Sequence, residues 1–283
     1  MKYEGADLEN NRFALLFGRS RKMKKAVFFD IDGTLWDEKM QVPKSTAEAI
    51  RRLRENGNYA FICSGRSRAA IKAKELLEDI GFDGILGGCG TYVEYMGEAV
   101  YERKLSKEEL NELFACFRKS GSPVVLEGRD YLYADMSDFG NNIYIQNLSK
   151  ALGKGFQPLK EHIDNYHANK MTVYFSGKGR EEMERELSPN YELIFHTPHV
   201  IEVIPKGFSK ASGIQWICDY LHIDHENTYA FGDSVNDLEM LAYVRYGIAM
   251  GNGTQEAKNA ADYVTKAIWD DGIMEGLKHF SLI

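Results

Sequence analysis

The sequence predicts an α/β fold in which a parallel sheet flanked by helices is interrupted by a second unit of mixed α+β structure. Apolar runs alternate with helix-period patterns over residues 25–90 and again over 199–283. Such alternation is typical of parallel strands joined by right-handed crossovers. Residues 91–198 instead show short strands paired across turn residues, which indicates an inserted α+β unit. A chain of 283 residues is long enough for two domains.

The first half of the predicted parallel sheet begins with the apolar run at residues 25–30. Consecutive apolar side chains indicate a strand that is buried on both faces. Ala49, Ile50 and Leu53 recur at helical spacing before Gly57, which suits a helix end, so a helix is predicted at 45–56. The next elements are a strand at 59–63, a helix after Ser67 and a short strand at 85–86.

The predicted inserted unit opens with a hairpin around Gly97. Ser106 and Glu109 have the spacing of a capping box, which predicts a helix that begins there and ends near Lys119. Residues 135–169 are ambiguous, with helix expected in part. The remaining elements are a hairpin at 124–126 and 131–134, strands at 171–175, 191–195 and 200–204, and a helix at 180–187.

The alternation of strands and helices resumes after this unit. A helix at 208–221 with Ile214 and Ile217 facing inward precedes a buried strand at 228–231 that ends in Gly232-Asp233. The last predicted elements are a helix at 238–243, a strand at 246–250, a helix at 254–261, a short strand at 262–265 and a helix at 270–280.

Composition argues against several classes of partner. A net charge of −7 disfavours a general nucleic-acid or membrane surface, although a local site can still attract a small anion. No apolar run approaches the length of a membrane span. The four cysteines form no CxxC pair, so we expect free thiols and a cytoplasmic protein. Residues 1–24 differ from the rest and are interpreted as an N-terminal extension.

Polar side chains that carry chemistry follow the predicted strands. Because the carboxyl ends of parallel strands lie at one edge of a sheet, residues far apart in sequence are expected to meet there. They are Asp30, Asp32 and Thr34 after the first strand, Ser64 after the second, Lys210 at the start of a helix, and the run Gly232-Asp233-Ser234-Val235-Asn236-Asp237.

These residue types fit phosphoryl transfer. Several carboxylates in one place repel each other unless a cation neutralises them, and oxygen ligands favour Mg²⁺. One carboxylate can attack phosphorus while a second handles a proton. Ser64 and Lys210 offer a hydroxyl and a positive charge to phosphoryl oxygens.

Each cluster also has a plainer interpretation. Asp233 and Asp237 would suit a helix N-terminus, Ser64 a turn, and Lys210 an exposed helix. Arg66 is equally compatible with a surface ion pair and with a site residue. The ordered set of clusters favours a functional site over these separate explanations.

The ordered set resembles the haloacid dehalogenase superfamily of phosphatases, in particular the Cof-type group with a type IIB cap. The resemblance covers nearly all of residues 25–280, and the order of its motifs is more specific than the first motif alone. One departure is Cys89-Gly90, where many Cof-type relatives carry Asn-Gly. The matching motifs are Asp30-Ile31-Asp32-Gly33-Thr34, Cys63-Ser64-Gly65-Arg66, Lys206-Gly207-Phe208-Ser209-Lys210, Gly232-Asp233-Ser234-Val235-Asn236-Asp237 and Met250-Gly251-Asn252-Gly253.

The resemblance implies a Rossmann-like three-layer core at 25–90 and 199–283 with an inserted cap at 91–198. It implies that Asp30 is the nucleophile of a phospho-aspartyl intermediate and that Asp32 is the general acid and base. Mg²⁺ would be bound by Asp30, Asp233 and the backbone carbonyl of Asp32, with Asp237 as a further ligand or as a residue that contacts the ligands. The phosphate would be held by Ser64 and Lys210, with help from Asn236 and backbone amides near Gly65.

The expected activity is Mg²⁺-dependent hydrolysis of a small phosphate monoester, such as a sugar phosphate or related metabolite. Two alternatives stay open: a phosphomutase, which would depend on a bisphosphate activator, and a non-catalytic sensor of phosphorylated metabolites. The intact acids Asp30 and Asp32 argue against the sensor. No cap motif names the substrate, and no sequence feature indicates the oligomeric state.

Overall fold

The computed structural model describes residues 23–162 and 165–283, so nearly all of the predicted extension at 1–24 lies outside the described residues. The larger of two sheets contains β1 (Ala26–Phe29), β2 (Tyr59–Cys63), β3 (Gly84–Gly87), β4 (Tyr92–Tyr95), β5 (Glu98–Glu102), β12 (Thr228–Gly232), β13 (Tyr246–Ala249) and β14 (Tyr263–Val264). Their order is β14-β13-β12-β1-β2-β3-β4-β5. The six strands from β14 to β3 are parallel, and β4 and β5 add an antiparallel edge.

Strand β1 lies at the centre of this sheet, as its apolar sequence predicts. Its four side chains are fully buried. Val27 is paired with Ala60 of β2 on one side and with Tyr229 of β12 on the other. The ring of Phe29 stacks on Phe231, with ring centroids 5.1 Å apart. This pairing brings the carboxyl ends of β1, β2 and β12 to one edge.

Helices cover both faces of the large sheet. They are α1 (Lys44–Glu55), α5 (Lys210–Leu221), α6 (Leu238–Tyr243), α7 (Gln255–Ala260) and α8 (Gly272–His279). Ile50 of α1 and Leu277 of α8 pack in one apolar cluster with Val27. Ile214 of α5 packs on the opposite face in a second cluster with Phe28. The predicted Rossmann-like three-layer α/β core is therefore confirmed.

The predicted continuous helix after Ser67 is wrong. The segment forms a single 3₁₀ turn at Arg68–Ala70 and then a wide π-helical turn at Glu75–Ile80. Ala69 donates its backbone N–H to the carbonyl of Gly128, which directly follows the strand Val124–Glu127 of the smaller sheet, 3.2 Å away. The backbone N–H groups of Ala70 and Ile71 donate to the carbonyls of Ser67 and Arg68, at 2.9 and 3.1 Å, which is the three-residue spacing of a 3₁₀ turn and not that of an α-helix.

The smaller sheet contains β6 (Val124–Glu127), β7 (Leu132–Tyr133), β8 (Phe156–Gln157), β9 (Lys170–Tyr174), β10 (Tyr191–Thr197) and β11 (Val200–Pro205). Its order is β10-β11-β9-β6-β7-β8. The accompanying helices are α2 (Lys107–Ser120), α3 (Ile143–Leu152) and α4 (Arg180–Leu187). The predicted capping box at Ser106 and Glu109 is present at the start of α2. Among the described residues, no helix combines the length and apolarity needed to cross a bilayer.

Strand pairing differs from the predicted division at residues 91–198. The β4–β5 hairpin extends the large sheet, with Val93 opposite Leu86. Strand β11 belongs to the small sheet, with Val203 opposite Met171. Both differences arise because strand partners are set by long-range pairing rather than by local pattern. We therefore propose that the inserted unit runs from about residue 103 to residue 205.

Candidate active site

Three predicted site residues follow the central strands of the large sheet. Asp30 comes directly after β1, Ser64 after β2 and Asp233 after β12. Asp30 continues the strand register, because its backbone N–H donates to the carbonyl of Phe231 at 3.0 Å. Asp30 and Ser64 are almost fully buried, and both line a cavity of about 540 Å³ between the two sheets.

Lys210 bridges two of the acids. It is the first residue of α5, whose N-cap is the side chain of Ser209. Its Nζ lies 2.6 Å from Oδ1 of Asp30 and 2.5 Å from Oδ1 of Asp237. The lysine side chain is almost fully buried, so these two carboxylates are its direct counter-charges.

The loop after β12 fixes the remaining acids. Oδ2 of Asp237 accepts hydrogen bonds from the backbone N–H groups of Asp233 and Ser234 at 2.9 and 3.0 Å. The hydroxyl of Thr34 donates to Oδ1 of Asp233 at 3.0 Å. Gly33 has φ +84°, and a Cβ there would lie 2.2 Å from Oδ2 of Asp233. Only glycine lets these two loops approach so closely.

One oxygen from each of Asp30, Asp233 and Asp237 lies within 4.8 Å of the others. Burial raises the pKa of Asp30 well above its usual value, and the neighbouring acid Asp237 raises it further, although Lys210 opposes both. Burial and the charge of Asp237 raise the pKa of Asp233 to about 6. Crowded, partly desolvated carboxylates are a donor set that a small divalent cation neutralises, so the residues fit a metal site.

Asp32 lies at the cavity but points to different partners. Its carboxylate accepts bidentate hydrogen bonds from Arg66 at 2.6 and 2.7 Å and one from Nε1 of Trp36 at 2.9 Å. Burial would raise the pKa of Asp32, but the hydrogen bonds and charge of Arg66 outweigh it and lower that pKa. Arg66, which the sequence left undecided, therefore contacts the proposed acid–base residue.

The predicted phosphate-binding residues are close to Asp30. Ser64, Gly65 and Asn236 line the same cavity as Asp30 and Asp32. The hydroxyl of Ser64 accepts a hydrogen bond from the backbone N–H of Arg66 at 3.2 Å, and Oδ1 of Asn236 accepts one from the hydroxyl of Ser234 at 2.6 Å. Their phosphate-binding roles stay predictions.

The sequence interpretation missed the opposite wall of the cavity. Glu127, Lys170 and Glu202 line it from β6, β9 and β11, and His196 from β10 adds a ring. The signal that was available is a charged residue within or beside an otherwise apolar strand, as for Glu202 in Val-Ile-Glu-Val-Ile. Cys89, the departure from the Cof-type motif, places its Sγ 3.9 Å from Oε1 of Glu202.

Comparison with known proteins identifies the family of this chain. The family model described as haloacid dehalogenase-like hydrolase matches residues 27–277. The chain belongs to this family. The haloacid dehalogenase-like chain is 31% identical to the putative phosphatase YkrA of Bacillus subtilis, over 92% of this chain and 98% of that protein. It is 28% identical to the Bacillus subtilis 5-amino-6-(5-phospho-D-ribitylamino)uracil phosphatase YitU, over 90% and 97%.

A solved structure supports the same assignment. The subclass IIB sugar phosphatase BT4131 is 31% identical and superposes with a TM-score of 0.77, over 92% of this chain and all of that one. The predicted family and the prediction of a phosphatase are therefore confirmed.

Proposed function

We propose that this haloacid dehalogenase-like protein hydrolyses small phosphate monoesters with Mg²⁺, through a phosphorylated Asp30. The observation that carries the proposal is the position of Asp30, which lines the cavity while Lys210 contacts it at 2.6 Å and two further carboxylates lie within 4.8 Å. The side chains of Asp30, Asp233 and Asp237 would hold the ion, together with the backbone carbonyl of Asp32. When bound, Mg²⁺ neutralises the crowded acids and the phosphoryl oxygens.

The proposed reaction has two halves. In the first, the Asp30 carboxylate attacks phosphorus, the bond from phosphorus to the leaving oxygen breaks, and Asp32 gives that oxygen a proton. In the second, Asp32 takes a proton from a water molecule that attacks phosphorus, which releases inorganic phosphate and restores Asp30. Ser64, Lys210 and Asn236 hold the phosphoryl oxygens, with backbone amides near Gly65.

The contacts of Asp32 fit the second half of this reaction. Arg66 and Trp36 favour its ionised form, which is the form that accepts a proton from water. In the first half of the reaction the carboxyl group of Asp32 must carry a proton. We therefore propose that Arg66 breaks its ion pair with Asp32 during that step. An incoming phosphoryl group supplies a competing anion for the guanidinium, because arginine binds phosphate and carboxylate in the same bidentate way.

The cavity volume and the relatives both support a small metabolite as substrate. About 540 Å³ is the size of a site for a single small molecule. The relatives include a named sugar phosphatase and a named phosphatase of a ribityl phosphate. We infer that this chain acts on a phosphate ester of similar size.

A panel of phosphorylated metabolites tests the proposal. Inorganic phosphate release is measured with Mg²⁺ and again after EDTA, for wild type, Asp30→Asn and Asp37→Asn. Asp37 is the matched control, because it lies in the same loop but outside the residues that line the cavity. We expect turnover that requires Mg²⁺ and Asp30 but not Asp37. Undiminished phosphate release by Asp30→Asn would refute the nucleophile assignment.

A further inference from the structure

Three charged side chains form the wall of the cavity opposite Ser64-Gly65-Arg66, a segment that we call the phosphate-binding loop after its predicted role. We call Glu127, Lys170 and Glu202 the charged wall; their side chains are 10%, 4% and 5% exposed. Strand register explains why the three side chains point the same way. Lys170 of β9 is opposite Glu127 of β6, and Thr172 of β9 is opposite Glu202 of β11. Lys170 and Thr172 are two residues apart, so they lie on the same face of β9. Charged side chains are rarely buried unless they are paired, so the ion pairs among these three residues decide the charge of the wall.

The charged wall holds two carboxylates and one ammonium group. Lys170 forms an ion pair with Glu202, and its Nζ lies 3.5 Å from Oε1 of Glu127. Burial opposes both charges of the closer pair. The charges of Glu127 and Glu202 nevertheless raise the pKa of Lys170, and the charge of Lys170 with the hydrogen bond of His196 lowers the pKa of Glu202 to about 2. Within the charged wall, one ammonium between two carboxylates leaves an excess of negative charge, while Arg66 and His196 line the same cavity outside the wall.

The wall also keeps capacity to accept hydrogen bonds. Glu202 accepts from Lys170 and contacts Nε2 of His196 at 3.0 Å, and Glu127 accepts from the hydroxyl of Thr172 at 2.5 Å. An ionised carboxylate has about four acceptor positions, so each glutamate can accept further donors from a ligand.

Glu202 lies beside the phosphate-binding loop. A Cβ placed on Gly65 would be 3.7 Å from Oε1 of Glu202. The charged wall therefore lies next to the predicted phosphate-binding residues Ser64 and Gly65, and all of these groups line one cavity.

We propose that the charged wall selects the leaving group by charge: it accepts an uncharged, hydroxyl-rich group and rejects one with a carboxylate or a second phosphate. The inference rests on the proposed phosphatase function and names the substrate class within it. Hydroxyl groups donate to Glu127 and Glu202, whereas a second anion meets an excess of negative charge away from water, where repulsion is least screened. The same repulsion disfavours the bisphosphate that a phosphomutase needs.

Sorbitol 6-phosphate and 6-phosphogluconate form a matched pair for the test. Both are open six-carbon chains with a terminal phosphate, and they differ only in a CH₂OH or a carboxylate at the other end. Their inhibition constants are measured at pH 7 against hydrolysis of p-nitrophenyl phosphate, so neither has to be turned over. We expect sorbitol 6-phosphate to bind at least about tenfold more tightly.

Variants separate charge from structure. Glu202→Gln and Glu127→Gln each remove one negative charge and leave Lys170 one carboxylate partner. Either variant can therefore test the charge of the wall if the other does not fold. Each single variant should reduce the ratio of the two inhibition constants several-fold. The double variant should bind 6-phosphogluconate more tightly than sorbitol 6-phosphate. Glu192→Gln on β10 is the control, because Glu192 is exposed and outside the residues that line the cavity.

The possible results distinguish this inference from the proposed function. Equal inhibition constants in wild type, or an unchanged ratio in both folded single variants, would overturn selection by the charged wall while phosphatase activity stands. Structural damage alone weakens both ligands together and leaves their ratio unmoved. Absence of hydrolysis for every ester, p-nitrophenyl phosphate included, would refute the proposed function, and this inference with it.

Discussion

Replacement of Lys210 by methionine removes the ammonium group that lies between Asp30 and Asp237 while keeping a side chain of similar length. The two carboxylates then lose a buried counter-charge that lies 2.6 and 2.5 Å from them. Removing one partner of a buried ion pair costs roughly 3–5 kcal/mol, because the remaining charge is neither solvated nor paired. For a chain of this length that cost corresponds to a fall in Tm of about 5–10 °C.

Urea unfolding at pH 7 in EDTA measures this cost. Lys206→Met is the matched control, because Lys206 lies in the same segment but is exposed, with its Nζ 2.8 Å from the carbonyl of Ser188. We expect the control to stay within about 1 kcal/mol of wild type. Added Mg²⁺ should reduce the loss of unfolding free energy in Lys210→Met relative to wild type, because the ion restores positive charge near Asp30 and Asp237. A deficit below about 1 kcal/mol in EDTA would contradict the bridging role of Lys210.

Three further predictions follow from the same geometry. Gly33→Ala places a Cβ 2.2 Å from Oδ2 of Asp233, so the Mg²⁺ concentration for half-maximal activity should rise about 10- to 100-fold; an unchanged value would contradict that contact. Arg66→Met frees Asp32 from its bidentate partner and should lower kcat roughly 10- to 100-fold. Because this ion pair is partly exposed, urea unfolding should show a change below about 1 kcal/mol. Glu202 ionises with a lowered pKa of about 2, so its stabilising effect is full above its ordinary pKa of 4.5 and is lost as pH falls toward 2. The difference in unfolding free energy between wild type and Glu202→Gln should therefore become smaller as pH falls from 4.5 toward 2.

Local sequence predicted the parts of the site that depend on chain neighbours. Asp30 follows a run whose side chains are all buried, so its place at the end of a central strand follows from hydrophobicity alone. The Ser106 capping box likewise involves side-chain and backbone groups three residues apart. Such features need no knowledge of the rest of the fold.

Long-range contacts explain what the sequence interpretation missed. The side chains of Arg66 and Trp36 meet on Asp32, and the first of these contacts spans 34 residues. The ion pair of Lys170 and Glu202 joins two strands of the small sheet. Neither contact leaves a periodic signal, because periodicity reports only which face of its own element a residue occupies.

By itself, the sequence determined which strands are buried, where they end and which acids, hydroxyl and amine follow them. Only the tertiary structure decided that β4 and β5 join the large sheet, that Lys210 lies between Asp30 and Asp237, and that the charged wall lines the same cavity as Ser64 and Gly65. The physical reason is that backbone and capping preferences act between near neighbours in the chain. Pairing of strands and of buried charges instead depends on which distant groups can satisfy one another away from water.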